Sequence, residues 1–97
     1  MAFVQIIEFK SSDLAGIRKA GDDWSQATEG KRTARRMLLT RDRNDPDRYL
    51  MIVFFDSYES AMVNSGLPET EASAEVFAAL SDGSPTFYDL DVLDDQS

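Results

Sequence analysis

Cysteine and histidine are both absent from this 97-residue sequence. Without cysteine the chain can form no disulfide, no thiolate nucleophile and no thiolate metal site, which suits a reducing compartment. Without histidine it lacks the usual acid–base residue at neutral pH, the usual zinc ligand and the usual axial ligand of haem. Much catalytic chemistry is thereby excluded, and we expect a protein that uses no metal and no cofactor.

Long apolar runs are also absent, since none approaches the roughly 20 residues of a membrane-spanning helix. Residues 1–10 show neither the basic segment nor the cleavage site of a secretory signal peptide. We therefore expect a cytoplasmic protein that does not associate with membranes. With 42% hydrophobic and 29% charged residues the composition is ordinary for a globular chain. We expect one domain over residues 1–93 and a disordered acidic tail over residues 94–97.

Basic residues are confined to the first half of the chain. All ten lysines and arginines lie at or before Arg48, whereas residues 49–97 carry ten acidic residues. Seven of the ten bases lie between Lys31 and Arg48, so a nucleic-acid patch must be considered. Acids are interspersed among these bases, no aromatic residue lies between them, and the acidic half would repel phosphate. We therefore expect no nucleic-acid binding, and instead attraction between the basic segment and the acidic half, within a subunit or across a dimer.

The hydrophobic pattern predicts the order strand, helix, strand, strand, broken helix, strand. The predicted strands are residues 3–9, 36–41, 48–55 and 86–93, with a turn at residues 44–47. An amphipathic helix is predicted from Asp13 to about Thr28, and a second helical piece from about Glu69 to Leu80. Between them, a helix that begins with Asp56 and Glu59 in capping-box spacing is interrupted at residues 66–68.

Two right-handed crossovers in this order give a ferredoxin-like βαββαβ fold of the α+β class. Its four-stranded antiparallel sheet has both helices on one face, the first and third strands in the middle and the last strand at an edge. The first strand is apolar on both faces, and residues 49–55 are seven consecutive apolar or aromatic residues. A monomer would expose the uncovered apolar face to water. We therefore predict a homodimer in which the two sheets pack against each other.

The third strand running into FFDSYESAMVNS, the Gly-Pro break, the EVFAAL helix and the final TFYDLDVL strand resemble the dimeric α+β barrel superfamily. In particular they resemble small actinobacterial proteins of unknown function near the antibiotic biosynthesis monooxygenase-like group. The resemblance covers nearly the whole chain and implies a homodimer with a ligand cavity in each subunit, between the sheet and the helices. Relatives include cofactor-independent oxygenases of aromatic polyketides, haem-degrading oxygenases, isomerases and cyclases, so the fold does not decide the activity.

The haem-degrading branch uses an Asn on the first strand, a Trp on the helix after the third strand and an axial His. Gln5 falls near the first position and Asn64 near the second, while the chain has no histidine. Haem degradation by that mechanism is therefore not expected. The quinol-oxidising branch surrounds its substrate with Asn, Trp, Tyr and Arg side chains. The conceivable counterparts here are Asn64, Trp24, Tyr49, Tyr58 and Arg36.

Eight residues are candidates for ligand binding, and each also has a purely structural interpretation. They are Gln5, Trp24, Arg36, Tyr49, Phe54, Tyr58, Asn64 and Phe77. Trp24 lies on the apolar stripe of the first helix, where core packing is the commoner role. Gln5 interrupts an apolar strand and needs a hydrogen-bond partner, which either a side chain or a ligand can supply. Asn64 points either at the cavity or at solvent, the tyrosines can keep their hydroxyls at the surface, and Arg36 can pair with a carboxylate.

The leading hypothesis is a homodimer that binds an apolar or aromatic metabolite between sheet and helices. If it is an enzyme, its chemistry is cofactor-free and monooxygenase-like, with polar side chains polarising a carbonyl or phenol. The alternative is a non-catalytic interaction or assembly protein. A pocket filled by Trp24, Phe54 and Phe77 favours the alternative, whereas an open cavity reached by Gln5, Asn64 and a tyrosine favours ligand binding.

Overall fold

The computed structural model describes residues 1–96 as a four-stranded antiparallel sheet with three helices on one face. The elements are β1 (Phe3–Lys10), α1 (Leu14–Ala27), β2 (Arg36–Asp42), β3 (Asp45–Phe55), α2 (Tyr58–Ser65), α3 (Pro68–Leu80) and β4 (Thr86–Asp91). The strand order β2-β3-β1-β4 places β1 and β3 in the middle and β4 at an edge. The predicted ferredoxin-like α+β fold is confirmed. Ser97, the end of the predicted tail, lies outside the described residues.

The core lies between the sheet and the helices. Because side chains alternate along a strand, Phe3 and Phe9 of β1 face the helices together with Val53 of β3. Ile17 of α1 and Ala61 of α2 pack onto this layer, and each is 1% exposed. Burial of large apolar side chains on this face therefore holds the helices against the sheet.

Side-chain caps fix where α1 and α2 begin. The carboxylate of Asp13 accepts a hydrogen bond from the Gly16 backbone N–H at 2.9 Å, as the predicted start of this helix requires. In α2 the capping residue is Ser57, whose hydroxyl accepts from the Ser60 N–H at 3.1 Å. The predicted capping box beginning at Asp56 is therefore wrong by one residue, because the extended backbone of Ser57 brings its own hydroxyl to the helix N-terminus.

The β2–β3 hairpin turns earlier than predicted. Its turn comprises residues 43–44, and β3 already begins at Asp45, so Pro46 lies within the strand. The carboxylate of Asp42, the residue before the turn, accepts a hydrogen bond from the Asn44 N–H at 2.8 Å and so stabilises the turn. β4 ends at Asp91, two residues earlier than predicted, and pairs there with Phe3, the first residue of β1. Beyond the strand, the Val92 backbone N–H still donates to the Ala2 carbonyl at 2.9 Å.

The face of the sheet opposite the helices, called here the outer face, is apolar along all four strands. Its apolar and aromatic side chains are Val4, Ile6, Leu38, Leu50, Ile52, Phe54, Tyr88 and Leu90. Tyr88 and Leu90 are 43% and 44% exposed. Within residues 1–96, no helix covers this face.

Two ion pairs join the basic segment to the acidic half within the chain, as the charge distribution predicts. Lys31 Nζ lies 2.8 Å from Glu69 Oε1, and Arg35 Nη2 lies 2.6 Å from Asp56 Oδ2. These pairs tether the loop before β2 to α3 and to the end of β3. Within residues 1–96, no helix is long and apolar enough to cross a membrane.

Candidate ligand-binding cavity

A cavity of about 290 Å³ lies between the helix-facing side of the sheet and helices α1 and α3. Its apolar wall comes from all four strands and both helices, and consists of Ile7, Phe9, Trp24, Met37, Met51, Val53, Phe55, Phe77 and Phe87, with Ala74 and Pro85. The volume is at the lower end of the range for small-molecule sites, roughly 300 to 1,000 Å³. An apolar wall of this kind suits a ligand whose surface is itself mostly apolar.

Asn64, near the end of α2, places a polar group in this wall. The side chain is 5% exposed, and its Oδ1 accepts a hydrogen bond from the Thr33 backbone N–H at 3.2 Å. A backbone N–H can only donate, so the amide oxygen must face Thr33 and the amino group must face away from it. Within the part of the chain that the structure describes, Nδ2 has no hydrogen-bond partner. Asn64 therefore offers the cavity a hydrogen-bond donor.

Gln5 places a second amide in the wall, from the middle of β1. Its Nε2 donates to Asp89 Oδ1 on the neighbouring strand β4, at 3.1 Å. An ionised carboxylate can only accept, so the nitrogen of Gln5 must face Asp89. Among residues 1–96, Oε1 makes no hydrogen bond. Gln5 therefore offers a hydrogen-bond acceptor.

Trp24 of α1 lines the cavity and is also packed against its neighbours. Its indole Nε1 donates to Thr70 Oγ1 of α3 at 3.0 Å. The guanidinium of Arg32 lies 5.8 Å from the ring centroid, within the range of a cation–π contact. These contacts fix the ring as a wall and leave its N–H satisfied.

Gly21 enlarges the cavity from the side of α1. It lies in the interior of the helix, and a Cβ built on it meets no atom within 4 Å. Glycine in a helix interior costs about 0.5–1 kcal/mol relative to alanine. At Gly21 the helix is less stable than it would be with alanine, but the missing side chain leaves open space in the cavity wall.

Few charges surround the cavity. Glu71 of α3 is the one charged side chain among the described residues that line it. No group of three or more acidic, histidine or cysteine residues that could hold a metal ion occurs within residues 1–96. The wall is thus mostly apolar, with two oriented amides, one carboxylate and the small polar residues Ser65, Thr70, Ser73 and Ser81.

Four of the eight residues predicted to bind a ligand line the cavity, namely Gln5, Trp24, Asn64 and Phe77. The other four lie elsewhere. Arg36 and Phe54 lie on the outer face, where the guanidinium stacks 5.8 Å above the phenyl ring, because their strand positions alternate with those that face the helices. Tyr49 is buried and stacks on Phe9 with ring centroids 5.6 Å apart. Tyr58 is 49% exposed at the start of α2, so no tyrosine lines the described cavity.

Sequence reasoning missed the small polar side chains of α3 that line the cavity. Thr70, Ser73 and Phe77 follow one another at spacings of three and four residues, which places them on one helix face. Small polar residues on the same helix face as a partly buried phenylalanine were the available signal for a partly polar wall. Phe87 of β4 was also missed, since alternation in an edge strand does not say which side faces the helices.

The sheet, its three helices and the cavity between them define a ferredoxin-like α+β protein with a ligand-sized cavity, and solved structures share this fold. A protein from Caulobacter crescentus described as a "putative antibiotic biosynthesis monooxygenase" superposes with a TM-score of 0.82 at 16% identity, covering 96% of this chain and 91% of that one. Rv0793 from Mycobacterium tuberculosis superposes with a TM-score of 0.81 at 15% identity over 100% of both chains. A conserved protein from Methanosarcina mazei gives 0.81 at 6% identity, covering 93% and 91%.

No family model matches the sequence, and no curated protein matches it in a sequence search. The structural likenesses, at identities of 16% or less, therefore establish the fold. The chain has the α+β fold of proteins named as antibiotic biosynthesis monooxygenases, which confirms the fold that the resemblance in the sequence implies.

Proposed function

We propose that this protein works as a homodimer that binds a neutral aromatic or apolar metabolite in the cavity between sheet and helices. The observation that carries the proposal is an apolar cavity of about 290 Å³ that Asn64 lines, with an amino group that has no acceptor among the described residues. A ligand with an accepting atom can pair with this donor while its apolar surface packs against the cavity wall.

The alternative, an assembly protein with a filled pocket, has less support. Trp24 and Phe77 stand in the wall of the cavity and leave its interior open, while Phe54 is on the outer face. Gln5 and Asn64 both line the open space. These placements support ligand binding, although no tyrosine lines the cavity among the described residues.

The outer face supports the homodimer. Eight apolar or aromatic side chains on four neighbouring strands form one contiguous surface, and a second copy of the sheet offers the same chemistry through a two-fold axis. At one end, Arg48 is paired with Glu8 at 2.7 Å and Asp42 at 2.8 Å, so the face brings few unpaired charges to an interface.

We propose that the protein also oxygenates ligands without a cofactor, provided that the ligand itself supplies the electrons that reduce O₂. A ring CH₂ beside a carbonyl loses two hydrogens and becomes C=O, one atom of O₂ enters the product, and the other leaves as water. In this proposal the Asn64 amino group stabilises the enolate oxygen that forms when the CH₂ loses a proton, and Glu71 accepts the proton; both residues line the cavity. The names of the similar structures support this chemistry.

Calorimetric titration with 2-naphthol tests ligand binding. We expect saturable binding of one molecule per chain. Gly21→Leu should weaken it at least tenfold because the new side chain enters the cavity, whereas Ala15→Leu, on an exposed position of the same helix, should leave it unchanged. Absence of saturable binding to the unmodified protein, or equal binding to Gly21→Leu, contradicts the proposal.

An oxygen electrode with anthrone as substrate tests catalysis separately. We expect one O₂ consumed per anthrone, at a rate that rises with protein concentration and falls at least tenfold in Asn64→Asp. Equal rates with and without protein contradict the oxygenase proposal alone and leave ligand binding in place.

A further inference from the structure

We infer that the cavity selects a ligand by its hydrogen-bonding groups, with the Asn64 amino group binding a carbonyl oxygen and the Gln5 amide oxygen binding a hydroxyl hydrogen. The preferred ligand is then a neutral aromatic ring system that carries both groups. This inference rests on the proposed ligand-binding function and adds to it the chemical class of the ligand.

Each amide is held in one orientation by a partner that cannot reverse its role. The Thr33 backbone N–H, 3.2 Å from Asn64 Oδ1, can only donate. The Asp89 carboxylate, 3.1 Å from Gln5 Nε2, can only accept while ionised. An amide without such a partner could turn by 180° and offer either atom to a ligand. Here the turn would set N–H against N–H at Asn64, or oxygen against carboxylate at Gln5.

The two fixed amides lie on different sides of the cavity. Thr33 precedes β2, one edge strand of the sheet, whereas Asp89 lies on β4, the opposite edge strand. The donor and the acceptor are thus supported from opposite edges and cannot exchange places. A ligand with its carbonyl at one end and its hydroxyl at the other satisfies both.

The charge of the cavity wall sets a further requirement, namely that the ligand is not an anion. Glu71 supplies a carboxylate, and no lysine or arginine lines the cavity among the described residues. Arg36, the one arginine that the sequence suggested as a ligand-binding residue, stacks instead on Phe54 at the outer face. An anionic ligand would meet an apolar wall and a like charge, which disfavours it relative to a neutral ligand of the same shape.

A set of matched naphthalenes tests the inference by calorimetric titration. The reference probe is 6-acetyl-2-naphthol, which has both groups. Its methyl ether lacks the hydroxyl hydrogen, 2-naphthol lacks the carbonyl, 6-hydroxy-2-naphthoate carries an anion, and 2-methylnaphthalene lacks both polar groups. We expect the reference probe to bind most tightly, with losses of about tenfold for each missing or charged group.

Two variants on β4 separate orientation of Gln5 from a simple loss of charge. In Asp89→Asn the new amide can accept or donate, so Gln5 is free to turn and to meet the ether oxygen with its N–H. We expect the preference for the naphthol over its methyl ether to fall from about tenfold to about twofold. Asp91→Asn, two residues further along the same strand, removes the same charge away from Gln5 and should retain the preference.

The outcomes distinguish this inference from the function on which it rests. Tightest binding of the hydroxy ketone, with the preference reduced in Asp89→Asn alone, supports the inference. Equal binding of all the naphthalenes, including 2-methylnaphthalene, overturns it while ligand binding stands. Failure of every probe to bind overturns both.

Discussion

Glu8, Arg48 and Tyr88 form a polar cluster at one end of the outer face. Arg48 donates to Glu8 at 2.7 Å, and the Tyr88 hydroxyl donates to the same carboxylate at 2.8 Å. These two hydrogen bonds hold the pKa of Glu8 below its ordinary value of 4.5. The Asn44 backbone N–H and Arg48 likewise hold the pKa of Asp42 below its ordinary value. Both carboxylates are therefore more acidic in the folded protein than in the unfolded chain.

Acid should weaken the fold through this cluster. The stability contributed by Glu8 is fully present above its unfolded pKa and is lost as the pH falls through the lowered folded pKa. In Glu8→Gln this contribution is absent, so we expect its unfolding free energy to fall less steeply between about pH 5 and pH 3. Urea unfolding at a series of pH values measures the slope.

Glu75→Gln is the matched control for that experiment. Glu75 is exposed on α3 and forms no ion pair among the described residues, so its replacement should leave the slope as it is in the unmodified protein. A Glu8→Gln slope equal to that of the unmodified protein would show that the cluster does not couple folding to pH.

At the residue scale, the sequence predicts the types of side chain at the site better than their positions. Gln5 could be singled out because a polar residue interrupts an apolar strand. The burial of Asn64 could not, because it depends on a hydrogen bond to Thr33, 31 residues earlier in the chain. Arg36 and Phe54 were misplaced because alternation separates two faces of a strand without saying which one carries the helices.

The two glycines of α1 should differ in how replacement by alanine changes the unfolding free energy. At Gly21 a Cβ meets no atom within 4 Å, so Gly21→Ala should raise the unfolding free energy by about 0.5–1 kcal/mol through improved helix stability. At Gly16 a Cβ would contact the capping carboxylate of Asp13, so Gly16→Ala should bring no such gain. Chemical denaturation of both variants compares them within one helix. Equal gains would contradict the described start of α1.

The elements themselves were largely predictable, because the periods of strands and helices are local properties of the sequence. Their ends were less so. The turn was predicted at residues 44–47, but Asp42 accepts a hydrogen bond from Asn44 and closes an earlier turn at residues 43–44. The cap of α2 was predicted at Asp56, but Ser57 is the capping residue. In both places neighbouring residues compete for the same role, and the backbone path decides between them.

For the whole molecule, we expect light scattering to give the mass of two chains. Ile52 lies in the middle strand region of the outer face, paired with Ile6 and Leu38. Ile52→Asp would place a charge in the proposed interface and should give the mass of one chain at micromolar concentration. Val63→Asp, at a 58% exposed position on α2, should remain dimeric. A monomeric unmodified protein contradicts the homodimer.

At this scale the strand order follows from the order of the elements, because right-handed crossovers leave few arrangements for two βαβ units. The cavity does not follow from that order. It depends on how far α1 and α3 stand from the sheet, which is set by side chains from distant parts of the chain, such as Trp24 with Thr70.

The crystal structure of the protein grown with 6-acetyl-2-naphthol tests the central claim most directly. We expect the naphthalene ring between the sheet and helices α1 and α3, with the ligand's carbonyl oxygen within about 3.2 Å of Asn64 Nδ2. A cavity closed by Trp24 and Phe77, with the ligand absent or bound elsewhere at saturating concentration, would contradict it.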